Sequence, residues 1–231
     1  MRVIYLKEID STQNYAKKLI EEGESEFIVT AEEQIAGHGR HGRIWGSPKG
    51  GLWFSFVCQK PKKLPDEVFY LATLAVGVTV KEVLEEQYSC RLEIKWPNDI
   101  LLNRQKVCGI LCEKIEDRLI CGIGINTNVV IEEIRKYNET ATSFLEETGK
   151  IADNGVLMKE ITERSLETIR TLMTTKENVI QKLNEGLAYK GEVRYLTYLK
   201  KDAEILGVDE NGHLEVLENG EKKQIFAGEV L

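Results

Sequence analysis

Val107-Cys108-Gly109-Ile110-Leu111-Cys112-Glu113-Lys114-Ile115 runs into Glu116-Asp117 and returns as Arg118-Leu119-Ile120-Cys121-Gly122-Ile123-Gly124-Ile125. Two apolar runs joined by a charged pair predict a β-hairpin. Working outward, Leu92 to Trp96 is strand-like and stops at Pro97, and Val3 to Leu6, Phe27 to Ala31 and Leu52 to Val57 read as further strands. Asp10-Ser11-Thr12 is a helix start, with Tyr15, Ala16 and Leu19 on one face and Gly23 as the stop. Leu71, Leu74, Ala75 and Val78 recur at helical spacing, which predicts a helix over roughly 65–86. Leu157, Ile161, Thr168 and Leu172 mark a long helix, and Ile180, Leu183, Asn184 and Leu187 mark a separate one. After Ala188 short strands alternate with turns. Asn211-Gly212 and Asn219-Gly220 are hairpin signals, each needing φ > 0 at both turn positions. The fold class is α+β: a mixed or antiparallel sheet flanked by helices over 1–187, and a small β domain over 188–231, too small to stand comfortably alone.

An apolar fraction of 42% and a charged fraction of 30% in 231 residues support one sizeable core. No apolar run is long enough to span a bilayer. The start, MRVIYLKEIDST, lacks a signal-peptide h-region, so a cytoplasmic address is expected. The net charge of −7, without a basic stripe, argues against nucleic-acid binding. Five cysteines, an odd number with no C-x-x-C, do not make a disulfide framework; Cys108 and Cys112 read as small buried hydrophobes. His38, His41 and His213 have no zinc-site spacing, and no protein-held structural metal is expected.

Three stretches carry chemistry. In Gln34-Ile35-Ala36-Gly37-His38-Gly39-Arg40-His41-Gly42-Arg43-Ile44-Trp45, glycines allow close backbone approach, exposed N–H groups can form an anion nest, and Arg40 and Arg43 add bidentate donors for phosphate or carboxylate. The same composition also suits a solvated surface loop. It is neither a P-loop nor a Rossmann fingerprint. In Lys95-Trp96-Pro97-Asn98-Asp99, a lysine ends an apolar strand; it either snorkels to water or points one charge into a pocket. Pro97-Asn98-Asp99 is a turn by composition, and Asp99 is also a candidate Mg²⁺ ligand. In Gly122-Ile123-Gly124-Ile125-Asn126, alternating glycines suggest close approach by a ligand or another backbone, with Asn126 offering an amide at the strand end.

Ser11-Thr12-Gln13, the Gly-His-Gly-Arg-His-Gly-Arg loop, Gly51-Leu52-Trp53-Phe54-Ser55, Lys-Trp-Pro-Asn-Asp, Lys106-Val107-Cys108-Gly109-Ile110-Leu111, Gly-Ile-Gly-Ile-Asn and Ala141-Thr142-Ser143 occur in that order. The ordered set resembles the biotin–protein ligase family, in its short form without an N-terminal DNA-binding domain, and the tail resembles that family's SH3-like domain. The resemblance implies a class II synthetase-like catalytic domain. It also implies ATP-dependent conversion of biotin to biotinyl-5′-AMP and transfer of biotin to a lysine of a biotin carboxyl carrier protein, the subunit of acetyl-CoA carboxylase or a similar enzyme. It implies a biotin site of Ser11, Thr12, Gln13, Gln34, Gly37, His38, Gly39, Arg40, Lys95 and Gly109. It implies nucleotide contacts from Arg40, Arg43, Trp45, Lys95, Asn98 and Asn126. Lys95 and Arg40 are the implied catalytic cations, Mg²⁺ accompanies ATP near Asp99, and the 37–43 loop closes as a lid. Homodimers are frequent in the family. DNA binding and membrane association are not expected.

The family's loop commonly carries arginine where this chain has His38 and His41; if His38 replaces a permanent cation, adenylate retention depends more on pH here, and the alternative is that either residue meets the ligand through its backbone and the side chain matters little. Two rivals remain open. A lipoate–protein ligase shares the fold and a catalytic lysine, but the loop and Lys-Trp-Pro-Asn-Asp strings favour biotin. A non-catalytic biotin- or nucleotide-binding sensor would not need Lys95.

Overall fold

The computed structural model describes residues 1–65 and 69–231. Its main sheet has seven strands: β1 (Arg2–Ile9), β2 (Phe27–Gln34), β3 (Leu52–Gln59), β4 (Glu93–Lys95), β5 (Asp99–Leu102), β6 (Gln105–Ile115) and β7 (Arg118–Ile125). Their spatial order is β1-β2-β3-β7-β6-β5-β4. Only β1 and β2 run parallel, because the helix α1 (Thr12–Glu21) joins them as a crossover; the other neighbours are antiparallel. The opening hairpin forms as read, with Cys112 opposite Cys121 and Gly109 opposite Gly124.

α1 covers one face of β2, β3 and β7, burying Ala16 and Leu19 against Phe27, Val29, Val57 and Ile120. The opposite face is covered by α2 (Leu71–Tyr88) and α5 (Asn154–Glu185), which pack against each other. α2 is apolar nearly all round, as a helix buried between a sheet and a second helix must be. Its expected first residues, 66–68, lie outside the described residues, and the helix begins at Leu71.

Three expectations need correction, and two short helices went unforeseen. α5 is one helix of 32 residues rather than two. No Gly or Pro interrupts it after Gly155, and the polar stretch at its middle keeps helical geometry while Thr171 and Thr175 return their hydroxyls to the carbonyls of Glu167 and Thr171. Asp99 is not only a turn residue; it opens β5, which pairs with both β4 and β6. Between β7 and α5 lie two short helices that the sequence did not announce, α3 (Ile131–Arg135) and α4 (Phe144–Thr148), the latter capped by the Ser143 hydroxyl. Finally, Asn219-Gly220 has φ > 0 at both positions, but at Asn211-Gly212 only Gly212 does. There Asp209 Oδ1 accepts from the backbone of Asn211 and His213 and shapes a longer loop.

The tail forms a four-stranded antiparallel sheet, β8 (Val193–Leu196), β9 (Lys201–Val208), β10 (Leu214–Glu218) and β11 (Glu221–Ile225), in the order β11-β10-β9-β8. Leu196, Ala203, Ile205, Leu214, Val216 and Ile225 share one continuous core with α2 and α5. Polar contacts set its angle: Asn184 exchanges two hydrogen bonds of 2.8 Å with the backbone of Val208, and the buried Trp96 Nε1 donates to Gly212 O at 3.0 Å.

Candidate active site

A cavity of about 790 Å³ opens on the α1 side of the main sheet, lined from Ser11–Gln13 at one end to Lys95, Arg104 and Tyr189 at the other. Its floor is glycine. A Cβ on Gly124 would meet Trp45 Nε1 at 2.4 Å, one on Gly109 would meet the same ring at 2.9 Å, and one on Gly122 would meet Gln13 Oε1 at 2.5 Å. The alternating glycines of β7 therefore serve close approach by side chains. The Trp45 indole lies on this floor with Lys106 Nζ 5.0 Å from its centroid and Trp53 against its edge, and its Nε1–H is buried without a partner among the described residues.

The inner end is polar, buried and nearly neutral. Ser11 caps α1 by accepting from Asn14 N, which leaves Thr12 and Gln13 on the first turn, facing the sheet. Thr12 N donates to Gln34 Oε1 at 2.8 Å, Thr12 Oγ1 contacts Ser55 Oγ at 2.9 Å, and Ser55 Oγ donates to Gln13 Oε1 at 2.9 Å. Gln13 Nε2 donates to Glu113 Oε2 at 2.8 Å, and Glu113 is paired with Lys17. Gln34 Nε2 donates to Ser47 Oγ at 2.7 Å. Ser47, Ser55 and Glu113 were missed by sequence reasoning. A serine in a loop (Ser47), a serine within an apolar strand (Ser55) and a glutamate on the first strand of a hairpin (Glu113) carry no signal of their own; only the folded chain brings them to Gln34 and α1.

The outer end is cationic. β4 delivers Lys95, which is half-buried and makes no hydrogen bond or ion pair among the described residues. Burial pulls its pKa below the usual lysine range, while Asp99 pulls it back up. Lys106 on β6 forms an ion pair with Asp99 at 2.6 Å. It was quoted as part of a motif but not given a role, since a lysine at a strand start reads as a solvated charge until the β5–β6 register sets it beside Asp99. Asn98 Nδ2 also donates to Asp99 Oδ1.

The glycine loop folds as a narrow ladder, with Trp45 N donating to Gly37 O and Gly39 N to Arg43 O, both at 2.8 Å, around a 3-10 turn at Arg40–Gly42. The ladder turns Arg40 inward, where it donates to Asn98 Oδ1 at 3.2 Å and Gly228 O at 3.3 Å. Its burial lowers its pKa, opposed by Glu229 and Asp99. Arg43 forms an ion pair with Glu229. His38 lines the cavity, whereas His41, at φ +56°, is exposed and is not among the lining residues. Asn126 is buried with its Nδ2 donating to Thr142 O at 2.8 Å, which explains Ala141-Thr142-Ser143: that segment runs beside Lys106 and fixes the amide at the cavity wall. The expected residues thus come together around one cavity; Gly37 lies behind the wall, its missing Cβ making room for Trp45 O and Ser47 Oγ.

Among the described residues no cluster of three or more His, Cys, Asp or Glu side chains is placed to hold a metal ion, and no helix is long and apolar enough to cross a membrane. Among the described residues, the side-chain carboxylates on the cavity wall are those of Asp99 and Glu229.

A strand-end lysine facing a glycine-floored cavity, on a mixed sheet with an appended small sheet, defines a class. Residues 5–129 match the model of the biotin/lipoate A/B protein ligase family, and the chain belongs to that family. It is 32% identical over 242 residues to the bifunctional ligase/repressor BirA of Bacillus subtilis, covering 99% of this chain and 73% of that protein. It is 27% identical over 220 residues to the biotin–[acetyl-CoA-carboxylase] ligase of Mycobacterium tuberculosis, covering 88% of this chain and 78% of that one. The biotin protein ligase of Aquifex aeolicus in complex with biotin and ATP superposes with a TM-score of 0.87 at 34% identity, over 100% of this chain and 97% of that structure.

Proposed function

We propose that the chain activates biotin with ATP and transfers it to a lysine of a carrier domain of a biotin-dependent carboxylase. The observation that carries this is the polarity gradient of the cavity. A neutral cluster of amides and hydroxyls (Thr12, Gln13, Gln34, Ser55) suits an uncharged polar head. The Trp45 ring lying over the glycine floor offers an apolar chain a flat face. Lys95, Lys106, Arg40 and Arg43 suit a carboxylate meeting a triphosphate. Relatives named as biotin–[acetyl-CoA-carboxylase] ligases, and a solved relative holding biotin and ATP, support the same substrates.

In this reading the biotin carboxylate oxygen attacks the α-phosphorus of ATP, and pyrophosphate leaves with the electron pair of the broken P–O bond. Lys95 holds carboxylate and α-phosphate together and offsets the charge that builds between them. Lys106 and Arg40 add fixed charge on either side. Mg²⁺ bound with ATP would neutralise phosphate charge, and Asp99, a cavity-wall carboxylate paired with Lys106, would be the residue to hold it, since Mg²⁺ commonly needs only one or two protein carboxylates. The arginine ladder closes above the mixed anhydride and keeps water from hydrolysing it. In the second step the carrier's lysine amine attacks the acyl carbonyl, and AMP leaves.

Biotin-dependent exchange of labelled pyrophosphate into ATP tests the first step, with lipoate and octanoate alongside. Exchange with biotin alone is expected. Exchange only with lipoate or octanoate would move the chain to the lipoate branch of its family, and no exchange with any acid would overturn the enzymatic reading.

A further inference from the structure

Cys112 and Cys121 face each other across β6 and β7 with Sγ atoms 3.2 Å apart, and both thiols are free. The proposed reaction does not use them. Strand alternation turns them away from the cavity, behind Leu111 and Gly122, whose positions do face it.

The register explains their closeness. Glu116-Asp117 is a two-residue turn, so Ile115 and Arg118, which flank it, form a hydrogen-bonded pair. Pairs alternate back from there, which makes Cys112 and Cys121 a non-hydrogen-bonded pair. In such pairs the Cα atoms lie about 4.5 Å apart and the side chains are at their closest. A disulfide accepts Cα separations of roughly 4.4–6.8 Å, so the backbone needs no rearrangement to close one here. The other thiols are out of register: Cys58 lies opposite Leu119, and Cys108 opposite Ile125.

Access is asymmetric in a way that suits stepwise exchange. Cys121 is fully buried, whereas Cys112 is half-buried on the part of β6 beyond Gly109, where pairing with β5 has ended. A metal site is not the alternative, since no third ligating side chain joins the pair among the described residues.

We propose that Cys112 and Cys121 form a dithiol/disulfide pair, a modification site closed by a low-molecular-weight disulfide of the glutathione class. The Cys112 thiolate attacks one sulfur of the oxidant, the S–S bond breaks, and the first small thiol leaves with the proton that Cys112 lost. The sulfur of Cys121, once deprotonated, attacks Cys112 Sγ and expels the second small thiol. Two protein S–H groups become one S–S bond, and one oxidant disulfide becomes two thiols. The contact with Cys112, followed by burial, holds the Cys121 thiol well above the ordinary range. Burial persists once Cys112 is capped and its thiol contact is gone, so it still disfavours the Cys121 thiolate, and the closing step quickens with rising pH.

The full-length protein, equilibrated with graded mixtures of reduced and oxidised glutathione, acid-quenched, alkylated and digested with trypsin, tests this. Trypsin cuts after Lys114 and Arg118, so the two cysteines fall in separate peptides. The expected product is a linked pair lacking two hydrogens, assigned to Cys112 and Cys121 by fragmentation, preceded by a glutathione adduct on Cys112 and reversed by reductant. Cys121→Ser should stop at the adduct, and Cys112→Ser should carry neither. A stable adduct on Cys112 in the unaltered protein with no link, a link to Cys58 or Cys108, or alkylation of Cys112 with no oxidation across the series would each overturn the proposal. The readout involves no biotin chemistry, so it stands or falls separately from the proposed function.

Discussion

Lys95 keeps its charge in a place that penalises it. Burial favours the neutral amine, Asp99 favours the ammonium, and burial is the larger effect. The folded-state pKa lies below the unfolded one, so holding the cation costs stability at neutral pH, and that cost fades as pH rises through the folded value. Such a cost at a cavity wall is reasonable only if the cation has work to do. Adenylation should therefore fall along an alkaline limb that lies below the ordinary lysine range. Lys95→Ala should lower the pyrophosphate exchange rate by on the order of 10²–10³-fold, abolish that limb, and leave thermal stability undiminished. A rate–pH profile and a melting curve on both proteins check this. Lys95 stood out in the sequence as a lysine closing an apolar strand, but that position suited a side chain reaching water at least as well, and only the family resemblance gave it a role. Lys106, Ser55 and Glu113 did not stand out, since each looks ordinary beside its sequence neighbours and acquires a partner only through strand register.

At the level of elements, the hairpin that opens at Val107 was readable throughout, and its turn falls at Glu116-Asp117 as expected. α5 was not readable as one helix, because its apolar stripe is interrupted where the helix faces solvent and only the absence of Gly or Pro argues for continuity. β5 was hidden by its own brevity and by the turn-like Pro97-Asn98 before it. The glycines of β6 and β7 gave a signal without a meaning: close approach was legible, but what approaches is the Trp45 ring, which reaches Gly124 from a loop far away in sequence. Gly124→Ala should push that ring off the floor into the cavity. The expected cost is on the order of 10²-fold in kcat/KM for biotin-dependent exchange, the size of a misplacement of about 1 Å. Destabilisation should stay near 1 kcal/mol, because the atom displaced belongs to a side chain beside open space. Exchange kinetics and thermal melting separate the two effects.

Across the whole molecule, the small sheet is joined to the site as well as to the core. Gly228 O accepts from Arg40, and Glu229 pairs with Arg43, so residues following β11 tie down the ladder that roofs the cavity. The sequence showed a separate β tail but not this contact, since it joins residues nearly two hundred positions apart. Glu229→Ala should leave the melting temperature almost unchanged, an exposed ion pair being worth about 1 kcal/mol or less. It should nevertheless speed release of the adenylate, by up to roughly fivefold if all of that energy holds the roof closed. Stopped-flow dissociation of the adenylate would show it, and an unchanged rate would mean that the tail braces the roof without holding it.

Trp45 sits within the cavity, its N–H unmatched, a lysine over its ring and a second indole at its edge. An emitter so placed answers to whatever enters: a changed neighbour alters its quenching, a changed angle alters energy transfer with Trp53, and a new acceptor for its N–H shifts its colour. The protein therefore contains its own optical gauge of occupancy, in which the filling and emptying of the site can be followed in real time without a label.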